Sequence, residues 1–283
     1  MPKKLTEAQI AGYRRDGYVY PLPGIGAERA AQYRKDFEAY EDWAGGRIGT
    51  LGRTPRYKTH VLLPWCWEIA SDPAILDAVE DVIGPDILIW TSSFFVKEAN
   101  TESVALWHQD STYFGLRPHE HVTAWVAITN ASAEAGCMQF IPEHGAARQY
   151  QHKANADPRS INGGGQAVSE PFNEGDAVTA QLRAGDFSMH HTLCIHSSPP
   201  NRSNDRRIGL GISYIPARVR HTGTVRVSAT LARGTDRYGH FDLETPATGN
   251  RDEDKARHTK ACDAYMAAYA EQIAWHDEGR TAA

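Results

Sequence analysis

A series of short β-rich runs between residues 86 and 220 constrains the fold of this chain more than any other feature. Each run is rich in branched and aromatic residues and is bounded by turn residues, a pattern typical of antiparallel sandwiches and barrels. Helices do not alternate with the runs, which argues against a doubly wound parallel sheet. The runs are, in chain order, ILIWTSSFFVK, SVALWHQD, HVTAWVAIT, CMQFIP, DAVTAQL, DFSMHHTLCIH and RRIGLGISYIP.

Helix signals flank this β region on both sides. Thr6 stands where an N-cap would precede EAQIAGYRRDG, and Gly17 stands where a C-cap would end that helix. Two further helices are predicted over 26–44 and 72–84, and a last one over about 253–276. The sequence therefore predicts a mainly β core with helices packed outside it.

The chain of 283 residues is interpreted as one domain over 1–283. Its parts are a helical N-terminal region 1–85, the β core 86–220, and a C-terminal covering segment and helix 221–283. The polar region 145–175 contains INGGG, which has no strand before it and no lysine after it, so it is not a phosphate loop. A binding loop or lid and a mobile insertion both remain open for this region.

Charge and cysteine usage narrow the class of protein. The net charge of −5 leaves no basic stripe for nucleic acid, and no stretch approaches the roughly 20 apolar residues that span a bilayer. The basic N-terminus is not followed by the apolar region of a secretion signal. The cysteines are far apart and form no C-x-x-C pair, which fits a reducing cytoplasm. We expect a cytoplasmic protein that acts on a small molecule. The cysteines are Cys66, Cys137, Cys194 and Cys262.

His108 and Asp110 are the first candidate metal ligands. Residues i and i+2 of a strand project from one face, so the imidazole and the carboxylate could meet one ion. A three-residue pattern recurs by chance, so a third ligand is required. His196 is the candidate, with His190 and His191 as rivals in the same run.

Arg207, eleven residues after His196, favours that histidine over its rivals. An arginine on a neighbouring strand can present its fork to a carboxylate held beside the metal. Arg206 is the competitor for this role, but it has the opposite strand parity and is expected to be solvated. Two histidines and one carboxylate describe the facial triad of non-haem Fe(II) oxygenases, which leaves positions for a chelating 2-oxo acid and O2. A structural zinc site would need a fourth protein ligand.

Residues of roughly 5–220 resemble the phytanoyl-CoA dioxygenase family of Fe(II)/2-oxoglutarate oxygenases. The likeness lies in LTEAQIAGYRRDGYVY, WHQD, VTAWVAIT, AGCMQFIPEHG, RAGD and HSSPPNRSNDRRIGLGISYIP, together with the His-x10-Arg spacing. The resemblance implies a double-stranded β-helix, a jelly roll like that of cupins, with the iron at one mouth. IPEHG departs from the Pro-Gly-Ser-His of many relatives, so His144 is not the family's usual histidine.

The resemblance also implies roles for individual residues. Iron is expected on His108, Asp110 and His196, and the distal carboxylate of 2-oxoglutarate on Arg207. Ser198 and Trp125 match further contacts to the co-substrate, although Trp125 has an ordinary core interpretation too and Ser198 a turn interpretation. Lys58 is a candidate for an upstream basic contact to 2-oxoglutarate.

Residues near the metal strand are predicted to flank the mouth and contact the substrate; they are Tyr113, Phe114, Lys97 and Arg117, with Trp90 beside them. Residues 220–242 could cover the site with polar side chains or simply pack against the core; these candidates are Arg233, Arg237, Tyr238 and His240. The lysine and the arginines among them favour an anionic group on the substrate.

The predicted function is an Fe(II)- and 2-oxoglutarate-dependent dioxygenase that uses O2 to hydroxylate a small organic substrate and releases succinate and CO2. Related halogenases have a small residue where Asp110 stands, so its carboxylate argues for hydroxylation. Desaturation, epimerisation and ring formation begin with the same hydrogen abstraction and stay open. Two alternatives are a non-catalytic jelly roll that binds a small ligand, and a metal-dependent hydrolase or isomerase on a cupin-like scaffold.

Overall fold

The computed structural model describes residues 2–52, 54–155, 157–162 and 165–277. Gly163 and Gly164 of the INGGG run lie outside the described residues, as does the end of the predicted C-terminal segment, 278–283. None of the described helices is long and apolar enough to cross a membrane.

The helices lie mainly before and after the β region, as predicted. Thr6 caps the first of them: its hydroxyl accepts from the Gln9 amide at 3.2 Å, and the Gln9 side chain accepts from the Thr6 amide. Gly17 ends that helix with φ of 84°, a conformation that favours glycine. The helices are α1 Glu7–Asp16, α2 Ala27–Ala44, α3 Thr59–Leu62, α4 Pro64–Ala70, α5 Pro73–Ile83, α6 Ser111–Phe114 and α7 Arg251–Asp277.

Fifteen strands are formed by the described residues, and most lie in the predicted β region. The edge strand β1 was not predicted. The strands are β1 Tyr18–Pro23, β2 Ile87–Lys97, β3 Ala105–His108, β4 Leu116–Arg117, β5 Val122–Ala127, β6 Met138–Phe140, β7 His152–Ala154, β8 Gln166–Val168, β9 Val178–Ala180, β10 Asp186–His191, β11 His196–Ser198, β12 Arg207–Pro216, β13 Arg220–His221, β14 Ser228–Arg233 and β15 Asp242–Leu243.

Two sheets form an open sandwich, which confirms the predicted mainly β class. A seven-stranded sheet has the order β1-β10-β5-β12-β2-β14-β15, and a four-stranded sheet has the order β3-β11-β6-β9. All their pairings are antiparallel except that of β14 with β15. Apolar side chains of β5 cluster with those of β6 and β9, so the two sheets pack face to face. The N-terminal helices share the other main cluster with the larger sheet and cover its outer face.

The sequence pattern suggested that the run DFSMHHTLCIH forms one strand, but it forms two. A turn in which the Cys194 amide donates to the His191 carbonyl at 2.9 Å separates β10 from β11. The two strands belong to different sheets. This crossing is what carries His196 from the larger sheet to the smaller one.

The predicted C-terminal helix is confirmed as α7, which packs against α3 and α6. The polar candidates of 220–242 lie elsewhere. Arg233 pairs with Asp77 at 2.7 Å and with Glu80 at 2.8 Å on α5, and Tyr238 is 54% exposed with its ring stacked on His240. The site is therefore covered by α7 and not by these side chains.

Candidate metal centre

His108, Asp110 and His196 converge on one point. β3 and β11 pair antiparallel with His196 directly opposite His108, and the two rings lie 4.1 Å apart. The Nε2 atoms of both histidines are 3.8 Å from Oδ1 of Asp110. One ligand atom from each residue lies within 4.8 Å of the others, so the three could hold one metal ion.

Asp110 does not lie on the strand that contains His108, so its position does not follow from the i, i+2 strand pattern. The strand ends at His108, and Asp110 has helical backbone angles (φ −62°, ψ −33°) at the start of α6. A helical turn, and not the pleat of a strand, returns its carboxylate to the histidines. Gln109, between the two candidate ligands, points away from them: it is fully buried, and its side-chain amide donates to the Arg148 carbonyl at 2.8 Å.

The two carboxylate oxygens of Asp110 have separate partners. Oδ2 accepts a hydrogen bond from the Thr123 hydroxyl at 2.8 Å, and Nε2 of His190 lies 3.3 Å from the same oxygen. Only Oδ1 is left facing the two other candidate ligands. His190, which the sequence left open as an alternative third ligand, therefore contacts the carboxylate through Oδ2, the oxygen that does not face the other candidate ligands.

The protonation states suit metal ligation. Burial lowers the pKa values of His108 and His196 and keeps both imidazoles neutral. Burial alone would raise the pKa of Asp110, but the hydrogen bond from His190 and the neighbouring imidazoles lower it well below its usual value. Neutral imidazole and ionised carboxylate are the forms that bind metal, and this nitrogen and oxygen donor set fits Fe(II).

Arg207 is a buried cation whose guanidinium is not fully hydrogen-bonded. It is 2% exposed and lines the same cavity as the three candidate ligands. Its Nη1 donates to the Gly136 carbonyl at 2.6 Å, but Nε has no hydrogen-bond partner among the described residues, and no described carboxylate pairs with it. Burial lowers its pKa to about 10, so it stays charged at neutral pH. A dicarboxylate co-substrate would supply the missing partner.

Arg206 lies on the other side of the sheet, as its parity predicts, but it is not solvated. It is 8% exposed, and its guanidinium pairs with Glu41 at 2.9 Å and with Glu98 at 2.8 Å. The prediction of a solvated Arg206 was wrong because α2 covers that face and supplies Glu41.

Trp125 and Ser198 line the cavity beside Arg207. The Arg207 guanidinium lies over the Trp125 ring, 5.3 Å from its centroid. The ring has room only because residue 209 is glycine: a Cβ there would lie 2.0 Å from Trp125 Cζ2.

Gly209→Ala is therefore expected to destabilise the protein by about 1–3 kcal/mol, since either the indole or the strand must move. Urea unfolding measures this change. Gly12→Ala is the matched control, because a Cβ on this helical residue meets nothing within 4 Å. The control should unfold at the same or a higher urea concentration. Equal stability of Gly209→Ala and the parent would show that Trp125 is not held as described.

Two of the four predicted substrate residues reach the cavity and two do not. Tyr113 and Phe114 line it. Lys97 is 1% exposed and donates to the Ser198 carbonyl at 3.0 Å, and burial together with Arg207 lowers its pKa to about 6. Arg117 donates to the Leu116 carbonyl at 2.9 Å and does not line the cavity. Neither Lys97 nor Arg117 lines the cavity, and both side chains donate to backbone carbonyls near it.

Lys58 does not contact the co-substrate site either. Its Nζ forms an ion pair with Glu244 at 2.7 Å and donates to the Ser228 carbonyl at 2.9 Å. Both side chains are almost fully buried, at 1% and 5% exposure. The basic residue expected for 2-oxoglutarate is instead one half of a buried ion pair.

Glu244→Gln should cost about 3–5 kcal/mol of stability at pH 7, because it leaves the Lys58 ammonium buried without its counter-ion. Burial opposes ionisation of Glu244, but Lys58 and His60 lower its pKa well below the unfolded value of about 4.3. The pair thus contributes above that pH and is lost as the pH falls.

Urea midpoints of parent and variant should therefore converge in acid. The control is Glu253→Gln, whose carboxylate is 65% exposed and 3.5 Å from Arg257, and it should change stability by less than about 0.5 kcal/mol. A constant difference between Glu244→Gln and the parent from pH 7 to 3 would contradict the ion-pair interpretation.

Several cavity residues were missed by the sequence analysis. The long loop contributes Ile161 and Asn162, which favours a binding loop over a mobile insertion for 145–175. Helix α7 contributes Tyr265 and Tyr269. Their i, i+4 spacing places them on one helix face, which is the signal that could have identified them.

Comparisons with known proteins agree with this geometry. Residues 13–209 match the sequence model of the phytanoyl-CoA dioxygenase (PhyH) family. A solved structure titled "non-heme monooxygenase; ThoJ apo" is 30% identical, with a TM-score of 0.80, and the alignment covers 96% of this chain and 100% of that one. A structure titled "CytC3 with Fe(II) and alpha-ketoglutarate" is 21% identical with a TM-score of 0.65 and covers 85% and 93%, which shows a shared fold.

Curated relatives match over shorter stretches. The protein named "Probable phytanoyl-CoA dioxygenase" of Caenorhabditis elegans is 22% identical over 53% of this chain and 51% of its own length. The protein named "Probable alpha-ketoglutarate-dependent hypophosphite dioxygenase" of Stutzerimonas stutzeri is 25% identical over 50% of each. The chain thus spans about half the length of these relatives.

Proposed function

Because the chain belongs to the phytanoyl-CoA dioxygenase family, we propose that it is an Fe(II)- and 2-oxoglutarate-dependent oxygenase that hydroxylates a small organic substrate. The observation that carries the proposal is a His-Asp-His cluster that shares a cavity with a buried arginine, which pairs with no carboxylate of the described residues. In the reaction, one atom of O2 enters the substrate as its hydroxyl group. The other enters succinate, as 2-oxoglutarate loses CO2.

Fe(II) would be held by Nε2 of His108, Nε2 of His196 and Oδ1 of Asp110. When bound, it supplies the redox chemistry that activates O2 with electrons from 2-oxoglutarate. Among the described residues only these three form such a ligand group, which would leave room on the ion for the co-substrate and O2.

Arg207 would bind the distal carboxylate of 2-oxoglutarate, with Ser198 and Trp125 beside it. The guanidinium is already buried, so the co-substrate replaces an unpaired donor with a charge-assisted hydrogen bond. Trp125 holds the guanidinium in place from the side of the sheet.

Thr123 and His190 would orient the Asp110 carboxylate. Both interact with Oδ2, which leaves Oδ1 as the oxygen that would bind the metal. Such supporting contacts to a ligating carboxylate orient it and tune the metal. The buried walls around the centre exclude water from the reaction.

The test is spectroscopic and chemical. Anaerobic protein with Fe(II) and 2-oxoglutarate should develop the weak visible charge-transfer band of the chelate, and O2 should then yield succinate. With ¹⁸O2, one labelled oxygen should appear in succinate and one in the hydroxylated product. The absence of both band and succinate would reject the proposal in favour of a ligand-binding protein. Turnover with Zn(II) or Mn(II) and no O2 would reject it in favour of a hydrolase or isomerase.

A further inference from the structure

The part of the cavity that is left for a substrate carries no cation. Among the described residues that line the cavity, Arg207 is the only lysine or arginine. Lys97, Arg117 and Arg233, which favoured an anionic substrate in the sequence, do not line the cavity; Lys97 and Arg117 donate to backbone carbonyls, and Arg233 forms an ion pair with Asp77. Once Arg207 binds 2-oxoglutarate, a second anion would be buried without a partner.

Aromatic residues line the part of the cavity that is left for a substrate. Tyr113 and Tyr269 stack in parallel with ring centroids 5.5 Å apart, and Tyr57 lies 5.3 Å from Tyr265. Phe114 lies 6.4 Å from Tyr265 and completes the set. We call these five residues the ring wall. All five are buried, with exposures between 2% and 9%.

The ring wall adjoins the candidate metal centre. The Tyr113 ring lies 5.9 Å from the His108 ring at an interplanar angle of 60°. A molecule resting on the wall would therefore lie next to the point where His108, Asp110 and His196 converge.

Four further lining residues have side chains that carry no charge. Thr91, Ser93, Ser213 and Asn162 line the cavity and offer hydroxyl and amide hydrogen bonds. The one described carboxylate in its lining is Asp110, which is committed to the candidate metal centre. A substrate cation would therefore find no free counter-ion there.

We propose that the part of the substrate that enters this cavity is an uncharged, ring-bearing scaffold with hydroxyl or carbonyl groups. A phosphonate, a free amino acid or the charged portion of a thioester is excluded from it. The proposal rests on the proposed function for two assignments, that of Arg207 to 2-oxoglutarate and that of Asp110 to the metal. Flat rings gain most from a wall of this kind, since stacked and edge contacts add to the area that they bury.

The first experiment compares three probes with one ring system: 2-naphthol, 2-naphthoate and 2-naphthylmethylammonium. Calorimetric titration is performed without O2 on protein saturated with Fe(II) and 2-oxoglutarate, so that Arg207 is occupied and no turnover occurs. 2-Naphthol is expected to bind at least roughly tenfold more tightly than either charged probe, because only it can be buried without a counter-ion. Equal or tighter binding of a charged probe overturns the proposal, and so does the failure of all three to bind.

The second experiment locates the probe. Tyr269→Leu should weaken 2-naphthol binding by roughly two- to tenfold, the range expected for loss of an aromatic contact. Tyr238→Leu is the matched control, because this tyrosine is 54% exposed and does not line the cavity. Phe114→Leu serves as a second ring-wall variant should Tyr269→Leu lower the melting temperature. Unchanged affinity in both ring-wall variants would overturn the assignment.

The charge-transfer band distinguishes a failure of the proposed substrate class from a failure of the proposed function. A band with the wrong probe preference means that the substrate class is wrong while the enzyme class stands. No band and no succinate in the parent protein means that the proposed function itself fails. The ring-wall variants should retain the band, since none of the five residues is a candidate metal ligand.

Discussion

Asp110→Ala is expected to abolish succinate and product formation and to weaken Fe(II) binding by more than the roughly 10- to 100-fold typical of a lost supporting group. The substitution removes the only negative charge among the three candidate ligands. It also leaves the Thr123 hydroxyl and His190 without the acceptor that they share. Binding is measured by anaerobic titration with Fe(II), and product formation by succinate release.

Asp110→Asn refines this test, because the amide keeps the shape of the side chain but not its charge. We expect it to bind Fe(II) more weakly than the parent while folding normally. Asp42→Ala is the control, since this exposed aspartate lies in α2, away from the cavity. Parent-like Fe(II) affinity in Asp110→Ala would show that the carboxylate is not a ligand.

Arg207→Met should raise the concentration of 2-oxoglutarate needed for half-maximal activity by about 30-fold or more. Removing one partner of a buried charge pair costs about 2–5 kcal/mol, and each 1.4 kcal/mol is about tenfold. The same substitution should not lower the stability of the ligand-free protein, because it removes a buried cation that pairs with no carboxylate in the described part of the chain. Loss of affinity without loss of stability identifies a binding residue.

Arg206→Met is expected to give the opposite result, a loss of stability without a change in the 2-oxoglutarate requirement. Arg206 pairs with Glu41 and Glu98 on the outer face of the sheet, so its loss should lower stability and leave the 2-oxoglutarate requirement unchanged. The two adjacent arginines thus form a matched pair for melting and kinetic measurements. An unchanged 2-oxoglutarate requirement in Arg207→Met would remove this residue from the co-substrate site.

Much of the fold could be predicted because its signals are local. The Thr6 cap and the Gly17 terminus depend on residues within one helix, and the β-rich runs carry their own boundaries. The edge strand β1 and the division of DFSMHHTLCIH were missed because both depend on pairing between distant residues. No local pattern marks the turn at which the chain crosses from one sheet to the other.

The candidate centre could be located from spacing, but not all of its geometry could. Asp110 converges with His108 through a helical turn, although the sequence pattern predicted that both residues lie on one strand. Lys97 and Arg117 were expected at the mouth because charge in a sequence does not reveal its partner. In the structure these two side chains donate to the backbone carbonyls of Ser198 and Leu116. Tertiary contacts decide which charges remain available to a ligand.

Helix α7 lies outside the residues that match the family, 13–209, yet it provides Tyr265 and Tyr269 to the cavity. The candidate iron ligands and Arg207 all lie inside that range. Part of the ring wall is thus contributed by a stretch of the chain separate from the one that carries the candidate metal ligands. A change confined to this helix would alter the ring wall while the candidate metal ligands stay untouched.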